Sequence, residues 1–129
     1  MTQDVSVKLK FVRHSARKIR PVARIFVGKN LVKSIDTASL MSQDSARFLF
    51  KAMNMAKSAA EAKEFDANQM IVKSVNVSEG PKIKRMRPNA RGRSNAYYKH
   101  LAHILLTVAP EVEKKQPKAK KEVKAEETK

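Results

Sequence analysis

Positive charge is the chemistry this sequence offers most densely. Between residues 80 and 110 stand Lys82, Lys84, Arg85, Arg87, Arg91, Arg93 and Lys99, with no aspartate or glutamate among them. Each can neutralise a phosphate and release condensed counterions. Arginine outnumbers lysine towards Arg91 and Arg93, which suits bidentate phosphate contacts and stacking on bases. Pro88 and Gly92 let the backbone turn tightly and approach a ligand. A loop made basic only for solubility has no reason to exclude acids over so long a stretch. A second block comprises Lys8, Lys10, Arg13, Arg17, Lys18, Arg20, Arg24, Lys29 and Lys33, balanced only by Asp4. A solvated charged face is the plain alternative for it; phosphate contact is preferred because so little acid opposes it.

Other chemistries find less support. His100 and His103 are three apart, so on a strand they point to opposite faces, and no Cys, Asp or Glu nearby completes a metal site. Ordinary packing or an RNA contact suits both better. The acids lie mainly in the middle and at the end of the chain, and no serine or histidine has an evident acid/base partner, so no catalytic constellation is expected. Met53 and Met55 read as core filler in a helical stripe. Tyr97 and Tyr98 can stack on bases; the preferred reading packs one under the sheet and lays the other over the hairpin base.

The elements that must position these charges follow from periodicity. Val5, Val7, Leu9 and Phe11 alternate with Ser6, Lys8 and Lys10, the pattern of a half-buried strand. Ser15 is placed to cap a helix whose inner face is Ile19, Val22, Ala23 and Phe26, ended by Gly28. Pro21 lacks the N–H that the Arg17 carbonyl needs, so a kink or a distorted first turn is expected. Ser34 is expected to open a short helix, with Ile35, Ala38 and Met41 inward. Ser42 or Asp44 opens a third, striped by Ala46, Leu49, Phe50, Met53, Ala56 and Ala60 and ending near Glu64. Met70–Val77 and Tyr97–Ala109 read as strands. The basic residues 79–96 between them have too few apolar side chains for a core. Their simplest arrangement is a long antiparallel hairpin with its tip near Pro88–Arg93 and a reach on the order of 30 Å.

The fold class expected is therefore α+β: three helices packed on a three-stranded antiparallel sheet, with a long β-hairpin, about residues 78–100, protruding. Residues 1–109 form one globular domain including that hairpin. Residues 110–129, rich in Lys and Glu and without aromatics, are expected to be a disordered tail.

Composition bounds the rest. The formal net charge is +16, with 28 Lys and Arg against 12 Asp and Glu. The absence of cysteine excludes a disulfide framework and thiolate metal or redox sites. The most apolar stretch, Leu101–Ala109, is broken by His103 and is far shorter than the ~18 residues of a membrane span. The opening MTQDVSVKLK carries Asp4 and no apolar run, so it is not read as a secretory signal. A soluble intracellular protein working beside a polyanion is expected, with nucleic acid ahead of an anionic membrane surface.

Four segments are specific enough to point to a family: RHSARKIRPVARIFVGK at 13–29, KSA at 57–59, EGPKIKRMRPNARGRSN at 79–95 and HI at 103–104. Through them, over roughly residues 5–109, the chain resembles the bacterial large-subunit ribosomal protein twenty-two family. It departs from that pattern at Pro21 and at Lys63-Glu64-Phe65, where a glycine-containing turn is usual. The resemblance implies a structural protein of the large ribosomal subunit that binds large-subunit rRNA, touches several of its domains and acts early in assembly. The implied rRNA-binding residues are Lys8, Lys10, Arg13, Arg17, Lys18, Arg20, Arg24, Lys29, Lys82, Lys84, Arg85, Arg87, Arg91, Arg93 and Lys99. The globular part would sit near the exit of the nascent-peptide tunnel. The hairpin tip, Met86, Arg87, Pro88, Asn89, Ala90, Arg91, Gly92 and Arg93, would line its wall. Neighbouring ribosomal proteins, the nascent peptide and nearby macrolide antibiotics are the implied partners. No enzyme activity, cofactor or metal is implied. The location is cytoplasmic, with an organellar ribosome left open. The alternative from another class is a nucleoid-type architectural protein with a basic β-arm, which usually works as a symmetric dimer.

Overall fold

The computed structural model describes residues 4–110. Strand β1 (Val5–Val12) leads into helix α1 (Ala16–Phe26), α2 (Leu31–Leu40) and α3 (Asp44–Glu61). A short 3-10 turn at Ala67–Gln69 precedes strand β2 (Met70–Pro88), a second 3-10 turn at Ala90–Gly92, and strand β3 (Ser94–Pro110). The sheet is antiparallel throughout in the order β1-β3-β2, so the last strand in sequence is central. The tail expected beyond Pro110 lies outside the described residues. Among those described, no helix is long and apolar enough to cross a membrane.

The helices cover one face of the sheet. On β3 that face carries Ala102, Ile104, Leu106 and Val108, all buried. The register sets Val5, Val7 and Leu9 of β1 opposite Val108, Leu106 and Ile104. From β2, Val72, Val75 and Val77 oppose the same three residues. Helix α1 presents the expected stripe of Ile19, Val22, Ala23 and Phe26, joined by Ala16. Helix α3 buries Ala46, Leu49, Ala52, Met53, Ala56 and Ala60. Its alanines let the helix approach its neighbours closely while favouring helix. Met55 is instead exposed, off that stripe.

Several local expectations are corrected. Phe11 does not continue the inner face of β1. A bulge between Leu9 and Val12 adds a residue, so Val12 turns inward and Phe11, at φ +55°, turns out. The Phe11 N–H donates to His103 Nδ1 (3.0 Å), and the two rings meet edge-on at 4.9 Å. Ser15 occupies the N-cap position of α1 without a side-chain cap bond; its carbonyl instead accepts from the N–H groups of Lys18 (3.0 Å) and Ile19 (3.3 Å). The helix runs through Pro21 as a single element. Asn30, not Ser34, caps α2: its Oδ1 accepts from Val32 and Lys33 N–H groups. Both residue types cap well, and the packing of Leu31, fully buried, decides between them. Ser34 lies inside the helix, where its hydroxyl donates to the Asn30 carbonyl (2.7 Å).

Beyond Ala102, β1 ends and β2 and β3 continue as a two-stranded ribbon, paired from Lys82↔His100 to Pro88↔Ser94. Every residue from Lys84 to His100 is exposed. Strand β2 carries two more bulges, between Val72 and Ser74 and between Glu79 and Lys82, and the latter marks where the ribbon leaves the body. Pro81 has no N–H for the ladder, and a bulge is where its loss is harmless. Gly80 is closely surrounded there: a Cβ would stand 3.2 Å from the Leu101 backbone and from His103 Nε2, so these neighbours would have to give by a few tenths of an ångström.

Helix α3 ends at Glu61, earlier than expected, and closes through N–H donation from Phe65 to the Ala60 carbonyl (3.0 Å). Glu64 supplies the left-handed residue of that closure, at φ +60°. A side chain there is strained by roughly 1 kcal/mol. Glu64→Gly is therefore expected to raise unfolding stability by about 1 kcal/mol in denaturant titration; no gain would show the turn to be unstrained.

Candidate nucleic-acid interface

Two basic stretches that lie far apart in sequence meet at one place. At the foot of the ribbon a groove of about 400 Å³ is lined by Arg13, Ser15 and Lys18 from the start of α1 and by Arg85 and Lys99 from the ribbon. His14, Ile83, His100 and Leu101 complete its lining. No carboxylate lines it. Among the described residues the ion pairs are Asp4–Lys73 (2.6 Å) and Lys57–Glu61 (4.0 Å), and neither includes a cation of this groove. Its positive charge is therefore not neutralised by neighbouring acids of the described fold.

His14 is held in place. Its Nε2 is 3.0 Å from the hydroxyl of buried Ser45, which itself donates to the Lys18 carbonyl (3.2 Å). The imidazole also packs 5.8 Å from the Phe48 ring. His14 and Arg13 also line a second groove, about 290 Å³, with Asp44, Arg47, Phe48 and Lys51. Sequence reading passed over Arg47 and Lys51, because they lie in the near-neutral middle of the chain. One signal was available: like charges four apart on a helix disfavour each other unless an anion lies between.

The ribbon is cationic on both faces. The register puts Lys82 and Lys84 on one face with His100 and Tyr98, and Arg85 and Arg87 on the other with Tyr97 and Asn95. Neither tyrosine packs under the sheet, contrary to expectation; at 38% and 52% exposed they stand beyond the end of β1, where there is no core to enter. Arg87 instead lies over the Tyr97 ring, 5.5 Å from its centroid. The tip turns at Arg91 and Gly92, with φ of +59° and +67°. It is closed by N–H donation from Asn89 to the Arg93 carbonyl (2.7 Å). Met86 to Arg93 are all exposed.

The remaining sequence candidates are exposed but dispersed. Lys8 lies on the sheet face away from the helices, opposite Leu105, and Lys10 is in the β1 bulge. Arg17 is on α1 outside the groove lining. Arg20 donates through Nε to the Val77 carbonyl (3.2 Å), securing α1 to the edge of β2. Arg24 and Lys29 lie towards and beyond the C-terminal end of α1. His100 and His103 share no metal-like cluster: among the described residues no three His, Asp or Glu side chains converge.

The chain is similar to known proteins of one family. The family profile described as ribosomal protein L22p/L17e matches residues 7–109. The large ribosomal subunit protein uL22 of Desulfosudis oleivorans is 31% identical over 112 residues, covering 87% of this chain and 98% of its own. The protein of the same name from Mycoplasma mycoides subsp. mycoides is 32% identical, with 84% and 98% covered. That of Desulfitobacterium hafniense is 33% identical, with 88% and 98% covered.

Ser45 hydrogen-bonds two residues of the groove's α1 side, so Ser45→Ala leaves the His14 ring nitrogen and the Lys18 carbonyl without that partner. A loss of about 1–3 kcal/mol in unfolding stability is expected by calorimetry or denaturant titration. An unchanged stability would show that the hydroxyl does not hold the groove together.

Proposed function

Because the chain belongs to the ribosomal protein L22p/L17e family, and so is a structural protein of the large ribosomal subunit and not an enzyme, we propose that it acts by binding large-subunit rRNA through two joined surfaces. The first is the groove where Arg13 and Lys18 meet Arg85 and Lys99, extended along the body by Lys8, Lys10, Arg17, Arg20, Arg24 and Lys29. The second is the ribbon, with Lys82, Lys84 and Arg87 along it and Arg91 and Arg93 at its end. One observation carries the reading: the ribbon bears cations on both faces, with no acid opposite them. A two-stranded ribbon so exposed and so polar is marginal alone in water. Phosphates on both sides would neutralise both faces, which fits a ribbon threaded between RNA segments.

In this reading residues up to 109 work as one body. The body sits on rRNA near the exit of the peptide tunnel in cytoplasmic large subunits and joins them early in assembly, beside neighbouring ribosomal proteins. The ribbon reaches inward across more than one rRNA domain. Its tip, Met86–Arg93, adds width restriction and positive potential to the tunnel wall, felt by a nascent peptide and by a macrolide bound nearby.

Two measurements test the two surfaces. Replacing Arg13, Arg17 and Lys18 together by Ala is expected to weaken binding to large-subunit rRNA and to flatten the slope of log affinity against log salt by up to about 2–3. An unchanged slope means that these side chains form only a solvated face. Deleting Arg87–Arg91 is expected to leave subunit incorporation nearly intact in cells while changing macrolide sensitivity or nascent-chain stalling. Failure to incorporate would transfer the anchoring role to the tip.

A further inference from the structure

The groove at the foot of the ribbon is built for more than phosphate. Contact with a phosphate backbone needs cations on an open surface and nothing else. Here the cations Arg13, Lys18, Arg85 and Lys99 are exposed, while Ile83 and Leu101, which line the same groove, are half-buried. The groove thus has a charged rim and an apolar floor. Ile83 belongs to the ribbon, beyond the end of β1 and outside the buried core. At about 400 Å³ the space is of small-ligand size, within the range of about 300–1,000 Å³ typical of such pockets, and it does not admit a duplex.

The His14 ring borders it, held before any ligand arrives by Ser45 on its Nε2, with the Phe48 ring tilted 5.8 Å away. His100 contributes from the ribbon, on the face opposite to Ile83 and Lys99. A planar ring presented beside an apolar floor, under a cationic rim, matches the parts of one nucleotide: a base with two flat faces, and a phosphate attached to it by the sugar.

We propose that this groove receives a single unstacked nucleotide of the bound RNA, its base against Ile83 and Leu101 beside His14 and its phosphate on the rim cations. The proposal rests on the RNA-binding reading above and adds to it a preference for a nucleotide outside a helix. Recognition is by stacking and burial, not by base edges, so it tolerates any base and selects for RNA that already holds one out of the stack. The foot of the ribbon then serves as a register mark: the extruded nucleotide fixes where along the RNA the ribbon begins.

The test uses the full chain and two RNA hairpins of identical stem, one with a single bulged 2-aminopurine and the other with that base paired to uridine. The bulged hairpin is expected to bind about tenfold more tightly at a fixed salt concentration, with a change in 2-aminopurine fluorescence on binding. Ile83→Ser is expected to remove that preference while leaving affinity for the paired hairpin within about twofold, and Ile83→Leu to retain it. Equal affinity of the unaltered protein for both hairpins overturns the proposal and leaves RNA binding intact. A preference that survives Ile83→Ser overturns it too, placing the bulge elsewhere on the protein. Absence of salt-dependent binding to either hairpin overturns the RNA-binding reading itself and this proposal with it.

Discussion

Strand β3 is the constraint on which the rest of the molecule depends. It alone is paired on both sides, and its residues from Ala102 to Val108 alternate between the helical core and the open face. A shift of one residue in its register would turn Ile104, Leu106 and Val108 to water and the intervening residues inward. The three helices all cover the one face that these residues supply. The same strand then runs on past the end of β1, without interruption, into the ribbon. The surface that packs the body and the arm that leaves it are thus one continuous backbone ladder.

Electrostatics oppose this arrangement. Bringing Arg13 and Lys18 beside Arg85 and Lys99 concentrates like charge that the described fold does not offset with acid. At physiological salt, repulsion between exposed charges is screened beyond roughly 8 Å, so it is felt within the groove and little across the molecule. Hydrophobic packing in the body supplies the stability against which this repulsion is held. Any polyanion that binds the folded form alone relieves it, and adds its own stabilisation by mass action. Charge placement that weakens the isolated chain is therefore what suits it to life inside a ribonucleoprotein.

Much of this was legible in the sequence, for identifiable reasons. The stripe from Ile19 to Phe26 and the alternation in β3 are strong periodic signals, and EGPKIKRMRPNARGRSN marks a basic hairpin by composition alone. The turn between Pro88 and Arg93 followed from residue types that favour it. What escaped was local or three-dimensional. A bulge adds one residue and inverts the parity of a strand, so Phe11 moved to the wrong face without any trace in composition. Asn30 and Ser34 are both competent caps, and only the burial of Leu31 separates them. Arg47 and Lys51 were hidden because charge averaged over a segment says nothing of which face of α3 carries it. The groove itself is a meeting of residues some seventy positions apart, and no local pattern announces such a meeting.

Two of the three bulges in the sheet also bear on mechanics. One interrupts β1 beside His103 and the other interrupts β2 beside Leu101, so both fall within the few residues where body becomes ribbon. Bulges concentrate twist and bend, and this pair brackets a joint barely one strand-crossing thick, wedged by Gly80 and by the Phe11–His103 contact. The ribbon is a lever arm on that joint. With an arm of about 25 Å, one degree of tilt at the foot sweeps the tip through about 0.4 Å. Aim is therefore a property of the joint and not of the tip. A methyl group too many at Gly80 would be amplified into a misdirected end with every tip residue unchanged.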